Sequence, residues 1–136
     1  MSPSMTPELH YATLAATFTG LIWLPIIANR LLEIGPWRAL KNPEPDVRPR
    51  ADWSHRAGHA HRNAIENLVV FAPLAIGIHV LGVGDDLTAA WSQAFFWSRA
   101  THAVVYTLGA PLVRTIAFFI GFLAQMTLAA RLLGLV

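Results

Sequence analysis

The chain has 136 residues, of which 13% are charged and 54% are hydrophobic, and its formal net charge is +2. Soluble domains carry about 25% charged residues, so this composition excludes intrinsic disorder, a nucleic-acid-binding domain and most water-soluble folds. The absence of cysteine excludes disulfides, thiolate metal ligands and a cysteine nucleophile. A lipid bilayer is the environment that this composition predicts.

The first predicted element is a membrane-spanning helix near the amino terminus. No charged residue occurs between Leu9 and Asn29, a stretch that at about 1.5 Å per residue crosses a hydrocarbon layer of about 30 Å. A charged, proline-containing loop follows, and a helix is expected to begin after it with Asp52 or Ser54 as its N-cap. This second helix turns apolar from Leu68 onward and forms the second predicted span.

Two further spans are predicted in the carboxy-terminal half of the chain. Glycines and two aspartates at 82–86 end the second span. The stretch from Leu87 to Val136 is too long for one crossing, and Gly109 and Pro111 divide it into two helices. The sequence therefore predicts an all-α, four-helix membrane bundle forming a single domain, 1–136, with spans at about 9–32, 57–82, 88–109 and 112–134 and a loop at about 33–55.

The distribution of positive charge predicts the orientation in the membrane. Seven of the ten Lys and Arg residues lie between the first span and the body of the second, namely Arg30, Arg38, Lys41, Arg48, Arg50, Arg56 and Arg62. The positive-inside rule assigns such a loop to the cytoplasm. Four crossings then leave both termini outside.

Polar side chains recur at helical spacing in three of the predicted spans. They lie in the half of each span nearest the cytoplasm, where ionisable groups are costly and are either functional or paired. This cluster, with guanidinium, amide, imidazole and carboxylate groups, suits a small zwitterionic or anionic ligand. Its members are His59, Arg62, Asn63 and Glu66 in the second span, Arg99, His102 and Tyr106 in the third, and Arg114 and Thr115 in the fourth.

Two other interpretations of these residues stay open at this point. Glu66 paired with Arg62 or Arg99 would be an interhelical ion pair that fixes helix packing. His55 and His59, with Glu66 further along the helix, would offer ligands to a divalent ion, but no fixed ligand motif is completed. We therefore expect no metal site.

Two segments resemble the membrane-associated proteins in eicosanoid and glutathione metabolism, the MAPEG family. RAGHAHRNAIENLVVF at 56–71 is similar to the family's second-helix signature, and RATHAVVYTLGAPLVRT at 99–115 is similar to its third-to-fourth-helix hairpin. The resemblance implies a four-helix subunit that assembles as a homotrimer, with glutathione as co-substrate between neighbouring subunits in the cytoplasmic leaflet. The compact chain looks more like bacterial members, which implies the bacterial inner membrane.

The resemblance also implies roles for individual residues. Arg114 matches the arginine beside the glutathione sulfur, with Thr115 and Tyr106 as further catalytic candidates. The implied glutathione-binding residues are Arg30, His59, Arg62, Asn63, Glu66, Arg99, His102, Tyr106 and Arg114. Two positions depart from the family pattern: His59 stands where well-characterised members have an arginine that binds a carboxylate, and Phe118 stands where the prostaglandin-synthase type has a tyrosine.

The function implied is a glutathione-dependent transferase or peroxidase that activates a thiol against lipophilic electrophiles or hydroperoxides. Its expected partners are two further copies of the chain, membrane lipids and a lipophilic small-molecule substrate, with no nucleic acid. Two alternatives remain. One is a non-catalytic membrane scaffold or accessory subunit, in which these polar residues only hold helices together. The other is a protein that binds another small anion or a lipid head group.

Overall fold

The computed structural model describes residues 4–43 and 47–136, so residues 44–46 of the predicted loop lie outside the described residues. Within these ranges all regular structure is helical, and the all-α class predicted from the sequence is confirmed. The helices are α1 (Pro7–Ile34), α2 (Pro36–Ala39), α3 (Asp52–Leu81), α4 (Asp86–Leu108) and α5 (Pro111–Leu132).

The helix boundaries follow from local sequence. Thr6 caps α1 by accepting a hydrogen bond from the Leu9 amide, and Pro7 occupies the first turn, where a missing N–H costs nothing. Asp85 and Thr88 form a reciprocal capping box that starts α4. Gly109, with φ of 85°, ends α4 in the left-handed conformation that glycine adopts without strain.

The predicted loop at 33–55 is partly helical, contrary to the expectation. Gly35, with φ of 79°, interrupts the helical path, and the short helix α2 follows it directly. The N-cap prediction was also wrong, because Ala51 occupies that position and no side chain accepts a hydrogen bond there. The amide of Ala51 donates instead to Glu33 Oε1 at 3.0 Å, so the end of α1 binds the entry to α3.

Small residues allow the helices to pack closely, as is usual in membrane bundles. The described core contains several buried alanines around one pair of aromatic rings, Phe71 and Phe95, which stack with centroids 3.7 Å apart. At Gly121 an added Cβ would lie 3.2 Å from Cδ of Arg99. Glycine at this position therefore lets α5 approach the buried arginine of α4.

Three of the described helices are long and apolar enough to cross a membrane: α1, α3 and α5, with mean hydropathies of 1.6, 1.9 and 1.7. The helix α4 does not meet that criterion, because it carries several polar side chains, including Arg99 and His102, which are buried against the other helices. Its crossing of the membrane stays a prediction. Apolar side chains such as Leu32, Val69 and Leu112 point outward and are mostly exposed, as expected for a surface solvated by lipid.

Candidate functional site

The polar residues predicted from helical spacing come together from three helices. Asn63 of α3 meets Arg99 and His102 of α4, and Tyr106 of α4 lies beneath Arg114 of α5. We call these five residues the polar cluster. The short turn between α4 and α5 brings Tyr106 and Arg114 to the same end of the bundle.

Arg99 and His102 are the deeply buried members, with 4% and 3% of their surfaces exposed. Nη2 of Arg99 donates to Oδ1 of Asn63 and lies 3.2 Å from Nδ1 of His102. A guanidinium has only donors, so Nδ1 of His102 is the accepting nitrogen and the ring proton belongs on Nε2. The Arg99 Cζ atom also lies 5.9 Å from the ring centroid of Phe118.

Two of the Arg99 donors have no partner. Nε and Nη1 are buried and make no hydrogen bond to any described residue. An unpaired buried polar group costs about 1–3 kcal/mol when it is neutral. The cost is higher for a charged group such as this guanidinium. These donors are therefore available to an acceptor that the described residues do not supply, such as a water molecule or a ligand.

Arg114 lies in the first turn of α5, where the unpaired amides of the helix create partial positive charge. Its Cζ atom lies 4.5 Å from the ring centroid of Tyr106, within the range of a cation–π interaction. The ring of His59 is nearly parallel to that of Tyr106, at 18° and with 6.5 Å between centroids. Positive charge and aromatic surface are thus concentrated at this end of α4.

The remaining predicted residues lie around this cluster or apart from it. His59 and Arg62 line an open cavity of about 470 Å³ between α3 and the loop. Arg30 lines a different cavity with Glu33 and Arg38 and does not join the cluster. The Thr115 hydroxyl donates to the Pro111 carbonyl oxygen at 3.0 Å, so its proton is used within its own helix.

The ion-pair interpretation of Glu66 is not supported. Within the described residues the ion pairs are Arg48 with Asp52 and Arg131 with Asp85, and neither involves Glu66. The Glu66 side chain is exposed. Arg99 of α4 instead donates a hydrogen bond to Asn63 of α3.

Sequence reasoning missed two buried amides that extend the cluster. Gln125 Nε2 donates to both the backbone oxygen and Oδ1 of Asn67, each at 3.1 Å. Asn67 Nδ2 donates in turn to the Asn63 backbone oxygen at 2.9 Å. Asn67 stands four residues after Asn63, and Gln125 interrupts an apolar span, so helical spacing and the cost of a buried amide were the available signals.

Arg56 is a third residue that the sequence analysis did not assign to the site. Its Nε donates to the Thr107 carbonyl oxygen at 2.8 Å, and its guanidinium lies beside Gly109. A cation at this place satisfies a terminal carbonyl and opposes the negative end of the α4 dipole. Arg56 therefore supports the turn that positions Tyr106 relative to Arg114.

These features define a helical membrane protein with a basic polar cluster at one end of its bundle. A sequence model of the MAPEG family matches residues 9–134, and the chain therefore belongs to the MAPEG family, as its two motifs predicted.

The chain is also similar to a curated protein. The chain is 36% identical over 85 residues to microsomal glutathione S-transferase 1 of Bos taurus. The aligned region is 60% of this chain and 54% of the bovine protein, so the chain spans about half the length of this relative.

Proposed function

We propose that this protein is a membrane-embedded, glutathione-dependent transferase or peroxidase that acts on lipophilic electrophiles or hydroperoxides. The observation that carries the proposal is the buried Arg99 guanidinium, whose Nε and Nη1 have no acceptor among the described residues. Membership of the MAPEG family and the similarity to a microsomal glutathione S-transferase support the choice of glutathione as the ligand.

Glutathione carries two carboxylates, an amine, two amides and a thiol, and the predicted residues offer a partner for each kind of group. In this proposal Arg99, Arg62 and His59 bind carboxylates, since guanidinium pairs with carboxylate through two parallel hydrogen bonds. Asn63 binds the peptide and Glu66 binds the glutamyl amine. The exposure of Arg62 and Glu66 leaves both side chains free to meet a ligand.

Arg114 is proposed to activate the thiol. A thiol of pKa about 8.5 is mostly protonated at neutral pH, and only the thiolate is a good nucleophile. A guanidinium at the beginning of α5 adds its charge to that of the helix terminus and stabilises the thiolate. The cation–π contact with Tyr106 holds Arg114 in place.

The second substrate reaches the sulfur from the bilayer. In conjugation, the thiolate forms a carbon–sulfur bond and the leaving group departs with the electron pair of its bond to carbon. In peroxide reduction, the thiolate attacks the terminal oxygen, the O–O bond breaks and the alkoxide takes up a proton. A second glutathione then converts the sulfenic acid to disulfide and water. Both reactions need the same first event, formation of the thiolate.

The assembly proposed with this function is a homotrimer in the bacterial inner membrane, with α4 as a fourth crossing and both termini outside. Glutathione would then lie between neighbouring subunits. The support is the position of His59, Arg62 and Glu66, which are exposed on α3. Charged groups in a membrane bundle face a water-filled cavity, a ligand or a neighbouring subunit.

The experiment is a measurement of glutathione binding by calorimetry to the purified protein in detergent, followed by a turnover assay with a conjugation electrophile. We expect saturable binding that Arg99→Met abolishes and that Arg38→Ala leaves unchanged, because Arg38 is an exposed cation of α2. Absence of binding by the wild type, at concentrations of several millimolar, would contradict the proposal.

A second candidate function is a membrane scaffold without catalysis. The observation that favours it is the chain of hydrogen bonds from Gln125 through Asn67 and Asn63 to Arg99, which joins α5, α3 and α4. A scaffold would lose thermal stability when Arg99 is replaced and would show no thiol-dependent activity. The turnover assay and the melting temperature of Arg99→Met together therefore separate the candidates.

A further inference from the structure

Two imidazoles face each other at the beginning of α3. The Nε2 atoms of His55 and His59 lie 3.3 Å apart, and the two rings are nearly perpendicular, at 80°. Both residues line the open cavity of about 470 Å³ next to the loop. Two protonated Nε2 atoms would direct their N–H groups at one another at this distance, so at least one nitrogen lone pair lies between the rings.

Contrary to the expectation from the sequence, we propose that in the protein without glutathione, where His59 binds no carboxylate, His55 and His59 form a two-imidazole binding site for a divalent transition-metal ion of the Zn²⁺ type. Histidines at positions i and i+4 of a helix lie on one face of it. Zinc sites on helices use this spacing. Two nitrogens each about 2.05 Å from a tetrahedral Zn²⁺ are separated by about 3.3 Å. The observed separation of 3.3 Å fits a chelating pair as well as a hydrogen bond between the rings, and the titration below distinguishes the two.

The described protein supplies two ligands, and the cavity supplies room for the others. No group of three or more His, Asp or Glu ligands occurs among residues 4–43 and 47–136. Asp52 precedes His55 by one turn, but its carboxylate is bound by Arg48 at 2.5 Å. Waters or a small anion would complete the coordination of the ion from the open side.

The charges around the site affect which ion complex is stable. Arg48 and Arg62 line the same cavity, and their positive charge opposes a bare cation while favouring a complex that includes an anionic ligand such as chloride. Imidazole ligands select Zn²⁺, Cu²⁺ and Ni²⁺ over Mg²⁺ and Ca²⁺, which prefer oxygen. The site is thus selective for transition metals.

The test is a calorimetric titration of the full-length protein with Zn²⁺, in detergent without thiols or chelators and with no polyhistidine tag. We expect one ion per chain, and we expect His55→Gln and His59→Gln each to weaken binding about tenfold or more, because each removes one of two ligands. The matched control is His61→Gln in the same helix, which should bind as the wild type does. A parallel titration with Co²⁺ should give the absorption of a tetrahedral complex.

The proposal is overturned if the wild type shows no saturable Zn²⁺ binding, a result that needs no variant to fold. It is also overturned if the His55→Gln and His59→Gln double variant binds as the wild type does; the contact would then be only a hydrogen bond between the rings. Because no thiol is present, neither outcome depends on the glutathione function proposed above.

Discussion

The guanidinium of Arg114 lies over the ring of Tyr106, with Cζ 4.5 Å from the ring centroid. The contact joins the last turn of α4 to the first turn of α5 across the Gly109–Pro111 turn. It fixes a cation at a helix N-terminus, where the backbone amides add to its field. The contact consequently favours one orientation of the Arg114 side chain.

Replacement of Arg114 by alanine tests its proposed role toward the sulfur. We expect turnover with a lipophilic electrophile to fall by about 10²- to 10³-fold, as for other single electrostatic groups that stabilise developing negative charge. The spectroscopic measurement is the ultraviolet absorbance of the bound thiolate, which should disappear in the variant. Arg114→Lys should keep part of the activity, since the charge remains while the planar stacking on Tyr106 is lost.

Two results would contradict this role for Arg114. Unchanged turnover in Arg114→Ala would show that thiolate formation does not need it. Loss of the assembled protein on size-exclusion chromatography would show instead that the arginine is structural. Arg38→Ala, a substitution of an exposed cation in α2, is the matched control for a change in overall charge.

Replacement of Arg99 by methionine separates ligand binding from helix packing. The substitution removes a buried charge with two unpaired donors. It also leaves Oδ1 of Asn63 and Nδ1 of His102 without their donor, but an unsatisfied neutral acceptor costs less than an unsatisfied charged donor. We therefore expect the loss of glutathione binding with a melting temperature equal to that of the wild type or higher. A clear fall in melting temperature with binding retained would favour the scaffold function.

The five residues of the polar cluster were among the candidates predicted from the sequence, because helical spacing places i, i+3, i+4 and i+7 on one face of a helix. The sequence assigned Asn63, Arg99 and His102 to the same half of the membrane, and these residues do meet. It did not predict which pairs would bond. Glu66 was an equally good partner for Arg99 by spacing, and only the packing of α3 on α4 places the shorter Asn63 side chain there.

The loop was the least predictable part of the chain. Its charges and prolines indicated irregular structure, yet Pro36 begins a short helix after Gly35. The role of Glu33 could not be read from spacing, since it accepts hydrogen bonds from the amides of Arg50 and Ala51, which are 17 and 18 residues away. Such contacts depend on where the end of α1 lies relative to the beginning of α3. Local sequence does not encode this relationship.

Replacement of Gln125 by leucine tests the buried amide chain. The variant leaves Asn67 without the donor that binds its Oδ1 and backbone oxygen, and an unsatisfied buried acceptor costs about 1–3 kcal/mol. We expect the free energy of unfolding in detergent to fall by about that amount. The control is Gln93→Leu, at an exposed position of α4, which should change the free energy of unfolding little. Equal effects of the two substitutions would contradict a stabilising role for the Gln125 hydrogen bonds.

Asp85, at the opposite end of the bundle, is expected to make the stability of the fold depend on pH. The amide of Thr88 donates to the Asp85 carboxylate at 2.9 Å, and this hydrogen bond, together with the charge of Arg131, holds the pKa of Asp85 below its usual range. A carboxyl whose pKa is lower in the folded state stabilises the fold above the unfolded pKa and loses that contribution as the pH falls through the folded one. Melting temperatures of the wild type should therefore drop below about pH 4. In Asp85→Asn the fall in melting temperature should be smaller, because the amide oxygen still accepts the hydrogen bond from Thr88 but the side chain has no charge to lose. Parallel pH profiles of the two proteins would contradict this role of the Asp85 carboxylate.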